Sequence, residues 1–290
     1  MNDSNTMPSL YRDLATQEAI DQAYNPSLGL DLGAIVQHFE TQSERVRQNW
    51  RYIPDVPYGP TREEKLDIFP ADRPDAPVLL FIHGGYWRSR CARDFSAIAQ
   101  GPRELGMTVV LIDYALCPKV TLDEISRQAR ASLVWVRRHI AQYNGDPGRI
   151  TLAGHSAGAH LAAMCLQTPW QRDYGLPQDL ARAALLISGI YDIAPLRYSY
   201  LQPAIQLDSG IIARNSPMFG VQPSQAQALL TWGADESSEF ARQSQDFLAQ
   251  WHGAGNQGSA LALPGTNHYT VLDGLGRADS ALCQWLAQHG

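Results

Sequence analysis

Two hydrophobic rhythms alternate along this chain. Continuous apolar runs at 78–82 (VLLFI) and 108–112 (TVVLI) predict strands covered on both faces, because a half-exposed strand would place a polar residue at every second position. Residues 65–69 (KLDIF) alternate in that second way and predict a half-buried strand. Shorter runs predict further strands at 150–153, 183–187, 228–232 and 259–263. Between the strands the period lengthens. Leu122, Ile125, Ala129, Leu133, Val136 and Ile140 recur at spacings of three and four, which is one face of a helix. Thr121 and Glu124 precede that face at capping-box spacing, and Asn144-Gly145-Asp146-Pro147 stops it. Other helices are expected from Ala157, over 238–251 and over 271–288.

Strands alternating with amphipathic helices predict an α/β fold, a mostly parallel central sheet with helices on both faces. Leu32, Ile35, Val36 and Phe39 give residues 1–48 a helical character ahead of the first strand. We read that segment as an arm on the main body, residues 49–290. The connection over 190–225 is too long for a simple crossover and is expected to form a small cap or lid.

Composition narrows the function classes. The chain has 290 residues, 44% hydrophobic and 18% charged, enough for a substantial core without disulfide or metal staples. Its 23 Lys+Arg against 29 Asp+Glu give a net charge of -6, which argues against nucleic acid as a partner. No run approaches the roughly 18 apolar residues of a membrane span. The N-terminus lacks the charged-then-apolar layout of a signal peptide. Cys91, Cys117, Cys165 and Cys283 are scattered, with no CxxC spacing, and read as reduced thiols. The expectation is a cytoplasmic globular protein.

The chemistry is concentrated in four short segments. Gly154-His155-Ser156-Ala157-Gly158 is a G-x-S-x-G sequence between a predicted strand and a predicted helix. A sharp turn there exposes the serine hydroxyl, small neighbours let the backbone fold back, and the helix N-terminus favours developing negative charge. Upstream, His83-Gly84-Gly85-Tyr86-Trp87 follows the strand at 78–82. Its glycines allow close backbone approach, and preorganised N–H donors at an oxyanion are worth about 3–4 kcal/mol each. Gly85, Tyr86 and Ala157 are the expected donors, with Gly84 taking part if the register shifts by one.

A base and its orienting carboxylate should follow the serine in the order Ser, acid, His. Among eight histidines only His268 lies in a loop between the last predicted strand and the C-terminal helix. Asp235, after the preceding strand, is the favoured acid; Glu236 beside it and Asp192 after the strand at 183–187 are the competitors.

With these segments in place the chain resembles the α/β-hydrolase superfamily, and the HGGxW form of the glycine loop resembles the kynurenine formamidase (arylformamidase) branch and related bacterial carboxylesterases. Val56-Pro57-Tyr58-Gly59, Glu64–Phe69, Asp113–Pro118, Ser188–Asp192 and Asn267-His268-Tyr269 extend the likeness from about residue 50 to the end. The resemblance implies a triad of Ser156, Asp235 and His268 and no metal or organic cofactor. It implies cleavage of small acyl amides or esters, foremost N-formyl-aryl amides, and Trp87 and Tyr191, with Tyr86, Trp170 and Tyr198, as an aromatic wall for an aryl substrate. A short-acyl carboxylesterase with the same machinery is the second reading, and a non-catalytic binding protein on the same fold is the third.

Overall fold

The computed structural model describes residues 9–290. Eight strands form one sheet: β1 (Ile53–Pro57), β2 (Lys65–Phe69), β3 (Ala76–Ile82), β4 (Thr108–Ile112), β5 (Gly145–His155), β6 (Ala183–Ile187), β7 (Gln227–Gly233) and β8 (Gly258–Leu263). Their spatial order is β1-β2-β4-β3-β5-β6-β7-β8. The β1–β2 and β2–β4 pairs are antiparallel, and every pair from β4 to β8 is parallel. The strands with continuous apolar runs, β3, β4 and β6, lie inside the sheet, where both faces are covered.

Alternation along each strand sorts side chains into two cores. Val78, Leu80, Ile82, Val110 and Ile112 face the helices Leu122–His139, Ala157–Leu166 and Ser238–Gly253. Leu79, Phe81, Val109 and Leu111 face the opposite layer, with Ile98, Leu282 and Leu286. The predicted helix at 271–288 is instead a 3₁₀ segment, Thr270–Gly276, followed by Ala281–His289. The expected capping box does not form. The Thr121 side chain makes no cap bond, and the Glu124 carboxylate accepts from Arg127 and Gln128.

The arm is two helices, α1 (Gln17–Tyr24) and α2 (Leu32–Asn49). Ile20 and Tyr24 of α1 join the first core and Val46 of α2 joins the second. The arm therefore grips both faces of the sheet, and residues 25–31 connect the two. Tyr11 donates to Asp192 at 2.7 Å, Tyr24 to Glu239 at 2.5 Å, and Arg242 reaches Glu239 and both tyrosines. Residues 190–225 are short helical turns rather than an open flap: Ile193, Leu196, Leu201 and Leu207 are buried in the first core. Among the described residues all four cysteines are free thiols, and no helix is long and apolar enough to cross a membrane.

Candidate active site

The turn from β5 into the helix Ala157–Leu166 places Ser156 at φ 56°, ψ -120°, a conformation that side chains rarely adopt and that costs about 1–3 kcal/mol. The residues two positions away on either side must be glycine. A Cβ on Gly158 would collide with the Ile82 carbonyl of β3, and one on Gly154 with the Gly158 carbonyl. The serine thus sits on a strained elbow at the end of a central parallel strand.

His268 lies in the loop between β8 and the 3₁₀ segment, and its Nδ1 is 2.6 Å from Glu236 Oε2. Both side chains are buried. The other Glu236 oxygen accepts the Ser188 hydroxyl at 2.5 Å and the Gly233 N–H at 2.7 Å. The carboxylate is therefore fixed from three sides. This differs from the expectation: Asp235 is exposed, and among the described residues only its backbone N–H is engaged, with the Thr266 carbonyl. The turn after β7 carries its second acidic residue inward, not its first. Asp192, the other competitor, receives Tyr11 and the Ala194 N–H and docks the arm.

Ser156 and His268 share the wall of one cavity of about 230 Å³ with Gly85 and Tyr86. Ser156 Oγ makes no hydrogen bond to the described residues; contacts between a nucleophile and its base often tighten only in the substrate complex. The backbone N–H groups of Gly84, Gly85, Tyr86 and Ala157 likewise have no hydrogen bond to protein among the described residues. Gly84 packs behind the loop on the elbow, where a Cβ would stand 3.1 Å from that of Ser156. Gly85 has φ +116° and a Cβ there would strike the Ser89 carbonyl. Tyr86 continues the left-handed run at φ 49°, and its hydroxyl donates to the Tyr24 carbonyl, joining the glycine loop to the arm.

His83 underlies this loop. Its ring stacks on Tyr114 with centroids 4.3 Å apart, Nδ1 meets the Gly84 carbonyl at 2.7 Å, and burial pushes its pKa down to about 4. As a neutral imidazole it donates from Nδ1. Among the described residues no cluster of His, Cys, Asp and Glu could hold a metal ion.

Of the aromatic residues expected to wall the site, Tyr86 lines the cavity and the other four do not. Trp87 is fully buried with its ring edge-on to His160, and Tyr191 is fully buried, stacked on Phe247 at 4.3 Å. Trp170 donates to the Cys165 carbonyl within the core, and Tyr198 lies at the surface outside the cavity. Tyr86 is joined there by Tyr269, by Phe39 of α2, by Phe95 and by Tyr200 from the 190–225 segment. Tyr269 is fixed to the arm by a 2.7 Å bond with Ser27. Leu32, Ile35 and Val36 complete the apolar side, so the helical stripe read from the sequence faces this cavity.

A family profile described as alpha/beta hydrolase fold matches residues 79–222. The chain is 30% identical over 276 residues to a kynurenine formamidase of Danio rerio, covering 92% of each protein. It is 32% identical over 252 residues to a kynurenine formamidase of Salmo salar, covering 84% of each. It is 30% identical to an esterase of Mycobacterium tuberculosis, over 74% of this chain and 56% of that protein. A solved structure of a candidate thioesterase from Silicibacter superposes with TM-score 0.82 at 25% identity, covering 91% of this chain and 97% of that one. The protein is an enzyme of the hydrolase type and belongs to the α/β-hydrolase family. Within that family it falls in the branch that holds the kynurenine formamidases and related esterases.

Proposed function

We propose that the protein is a serine hydrolase that deformylates N-formyl aryl amides of the N-formylkynurenine type. The observation that carries this reading is the Glu236–His268 pair at 2.6 Å, on one cavity with a serine held on a strained elbow. Ser156 Oγ attacks the formyl carbon while His268 Nε2 takes its proton. Glu236 holds the opposite ring nitrogen and stabilises the imidazolium that results. Free N–H groups among Gly84, Gly85, Tyr86 and Ala157 receive the oxyanion. His268 then protonates the departing aryl nitrogen, the C–N bond breaks, and a formyl ester remains on Ser156. Water, deprotonated by His268, attacks that ester and releases formate.

Two features favour the formamide over a simple ester. The relatives matched over almost the whole chain are kynurenine formamidases. The cavity wall also carries the exposed guanidinium groups of Arg88 and Arg90, neither paired with a carboxylate among the described residues, and the Glu40 carboxylate from α2. Opposite charges on a wall of aromatic and aliphatic side chains suit an aryl amide that bears an amino-acid head. The second reading, a short-acyl carboxylesterase, is favoured by the mycobacterial esterase match.

The test compares kcat/KM for N-formylkynurenine with that for a short-acyl nitrophenyl ester. Preference for the formamide, lost in Ser156→Ala, is the expected result. Negligible deformylation beside rapid ester cleavage would move the assignment to the esterase.

A further inference from the structure

His155, the residue between the first elbow glycine and the serine, touches three parts of the site at once. As the last residue of β5 it leads the backbone into Ser156. Its ring Nε2 lies 2.7 Å from the carbonyl oxygen of His268. A carbonyl only accepts, so Nε2 carries the proton and Nδ1 is a lone pair. That Nδ1 is buried without a hydrogen-bond partner and faces the glycine loop: a Cβ on Gly84 would stand 3.0 Å from it. The two imidazoles sit with centroids 4.6 Å apart.

The geometry points to His155 as a positioning residue. Its Nε2–H holds the His268 backbone against the serine's own segment, while its ring backs Gly84. The other hydrogen bonds of residues 267–270 are mostly local: the Asn267 N–H goes to Thr270 Oγ1, and Asn267 Oδ1 receives the N–H groups of Tyr269 and Thr270. Among the described residues, the bond from His155 is the one that joins the backbone of the base to the elbow. Neutrality matters to this role. Burial first, and the adjacent His268 imidazole second, push the His155 pKa well below its usual value. No second positive charge then opposes the imidazolium formed on His268 during turnover.

This inference rests on reading Ser156 and His268 as nucleophile and base. Its test measures the rate at which a fluorophosphonate labels Ser156, with kcat and KM on the preferred substrate, in the full-length protein. His155→Leu removes the donor. His155→Gln restores an N–H the same number of bonds from the backbone. The expected result is a loss of about 100-fold in labelling rate and kcat for His155→Leu. KM should change little, and His155→Gln should recover most of the loss. If His155→Leu does not fold, the comparison is His155→Gln against His155→Asn, whose amide is one bond too short. A labelling rate in His155→Leu equal to wild type, or equal losses in the Gln variant and its partner, would overturn the positioning role alone. Failure of the wild-type protein to label would instead remove the serine reading beneath it.

Discussion

Glu236 and His268 meet at 2.6 Å although 32 residues separate them in the chain, while Asp235, adjacent to Glu236, is left in solvent. The turn after β7 decides this. The Gly233 N–H donates to Glu236 Oε1, and a Cβ on Gly233 would collide with the Thr266 carbonyl, so the turn packs directly against the loop that carries His268. Glutamate's longer side chain then spans to the imidazole, with Ser188 holding its other oxygen.

Glu236→Ala should therefore lower kcat by about 10⁴-fold, the loss seen when the carboxylate of such a triad is neutralised. Asp235→Asn should stay within about twofold of wild type, since its side chain is exposed and makes no hydrogen bond to the described residues. Steady-state kinetics on the two single variants separates them. A large loss in Asp235→Asn with normal turnover in Glu236→Ala would reverse the assignment.

The elbow's strain predicts a stability effect opposite to the activity effect. Ser156→Ala keeps the left-handed backbone and should leave the melting temperature almost unchanged. Ser156→Gly removes the Cβ from φ 56°, ψ -120°, a relief of about 1–3 kcal/mol partly offset by glycine's extra freedom when unfolded. Both variants should be inactive, with the glycine variant melting a few degrees above the alanine variant. Differential scanning calorimetry on the pair decides it, and equal melting temperatures would mean that the strain released is no larger than glycine's entropic cost.

Much of the fold was legible because it rests on burial. The interior strands β3, β4 and β6 are continuous apolar runs since neither face meets water. The edge strand β1 carries no such pattern: its five residues, IPDVP, include two prolines, its three exposed positions are proline or aspartate, and it pairs through the backbone. The helix expected over 271–288 is broken after Gly274 and Gly276, where periodic apolar residues continue through a 3₁₀ turn. At the site, the serine and histidine segments were readable because glycines and strand ends dictate those turns. The choice between Asp235 and Glu236 was not, since it depends on which way a turn rotates. Nor could Trp87 and Tyr191 be told from cavity aromatics, because sequence gives a ring's chemistry but not its direction. Ser188 carried a signal only as part of a family-like segment; its bond to Glu236 appears with the fold.

The arm closes one wall of the cavity, and this sets a prediction about binding rather than chemistry. Phe39 lines the cavity and is not one of the groups assigned to bond breaking. Phe39→Ala should raise KM for an aryl formamide about 10-fold with kcat nearly constant, the mark of lost binding shared by ground and transition states. A small ester without a ring should be unaffected. If kcat falls for both substrates while KM holds, the arm contributes to positioning the catalytic groups and the wall assignment fails.

Buried imidazoles set how the fold responds to acid. Burial pushes the pKa values of His83 and His160 down to about 4, and that of His155 well below its usual value. A group whose pKa is depressed on folding stays neutral in the native chain while its unfolded counterpart takes up a proton. Its stabilising contribution is therefore present above about pH 6.5 and is lost as pH falls toward 4, by up to about 1.4 kcal/mol per pKa unit. Asp113 acts in the opposite sense. Burial raises its pKa to about 6, so ionising it costs the native state, and its contribution declines as pH rises from about 4 to 6. Three imidazoles outweigh one carboxyl, and the unfolding free energy should fall as pH drops from 6.5 to 4. His160→Gln, which keeps a donor for the Asn215 carbonyl bound by His160 Nε2 at 2.6 Å, should flatten that fall. Asp113→Asn should steepen it and raise stability at pH 7. Urea unfolding at several pH values measures all three slopes, and a wild-type curve that is flat or rises toward acid would show that these imidazoles protonate freely in the folded chain.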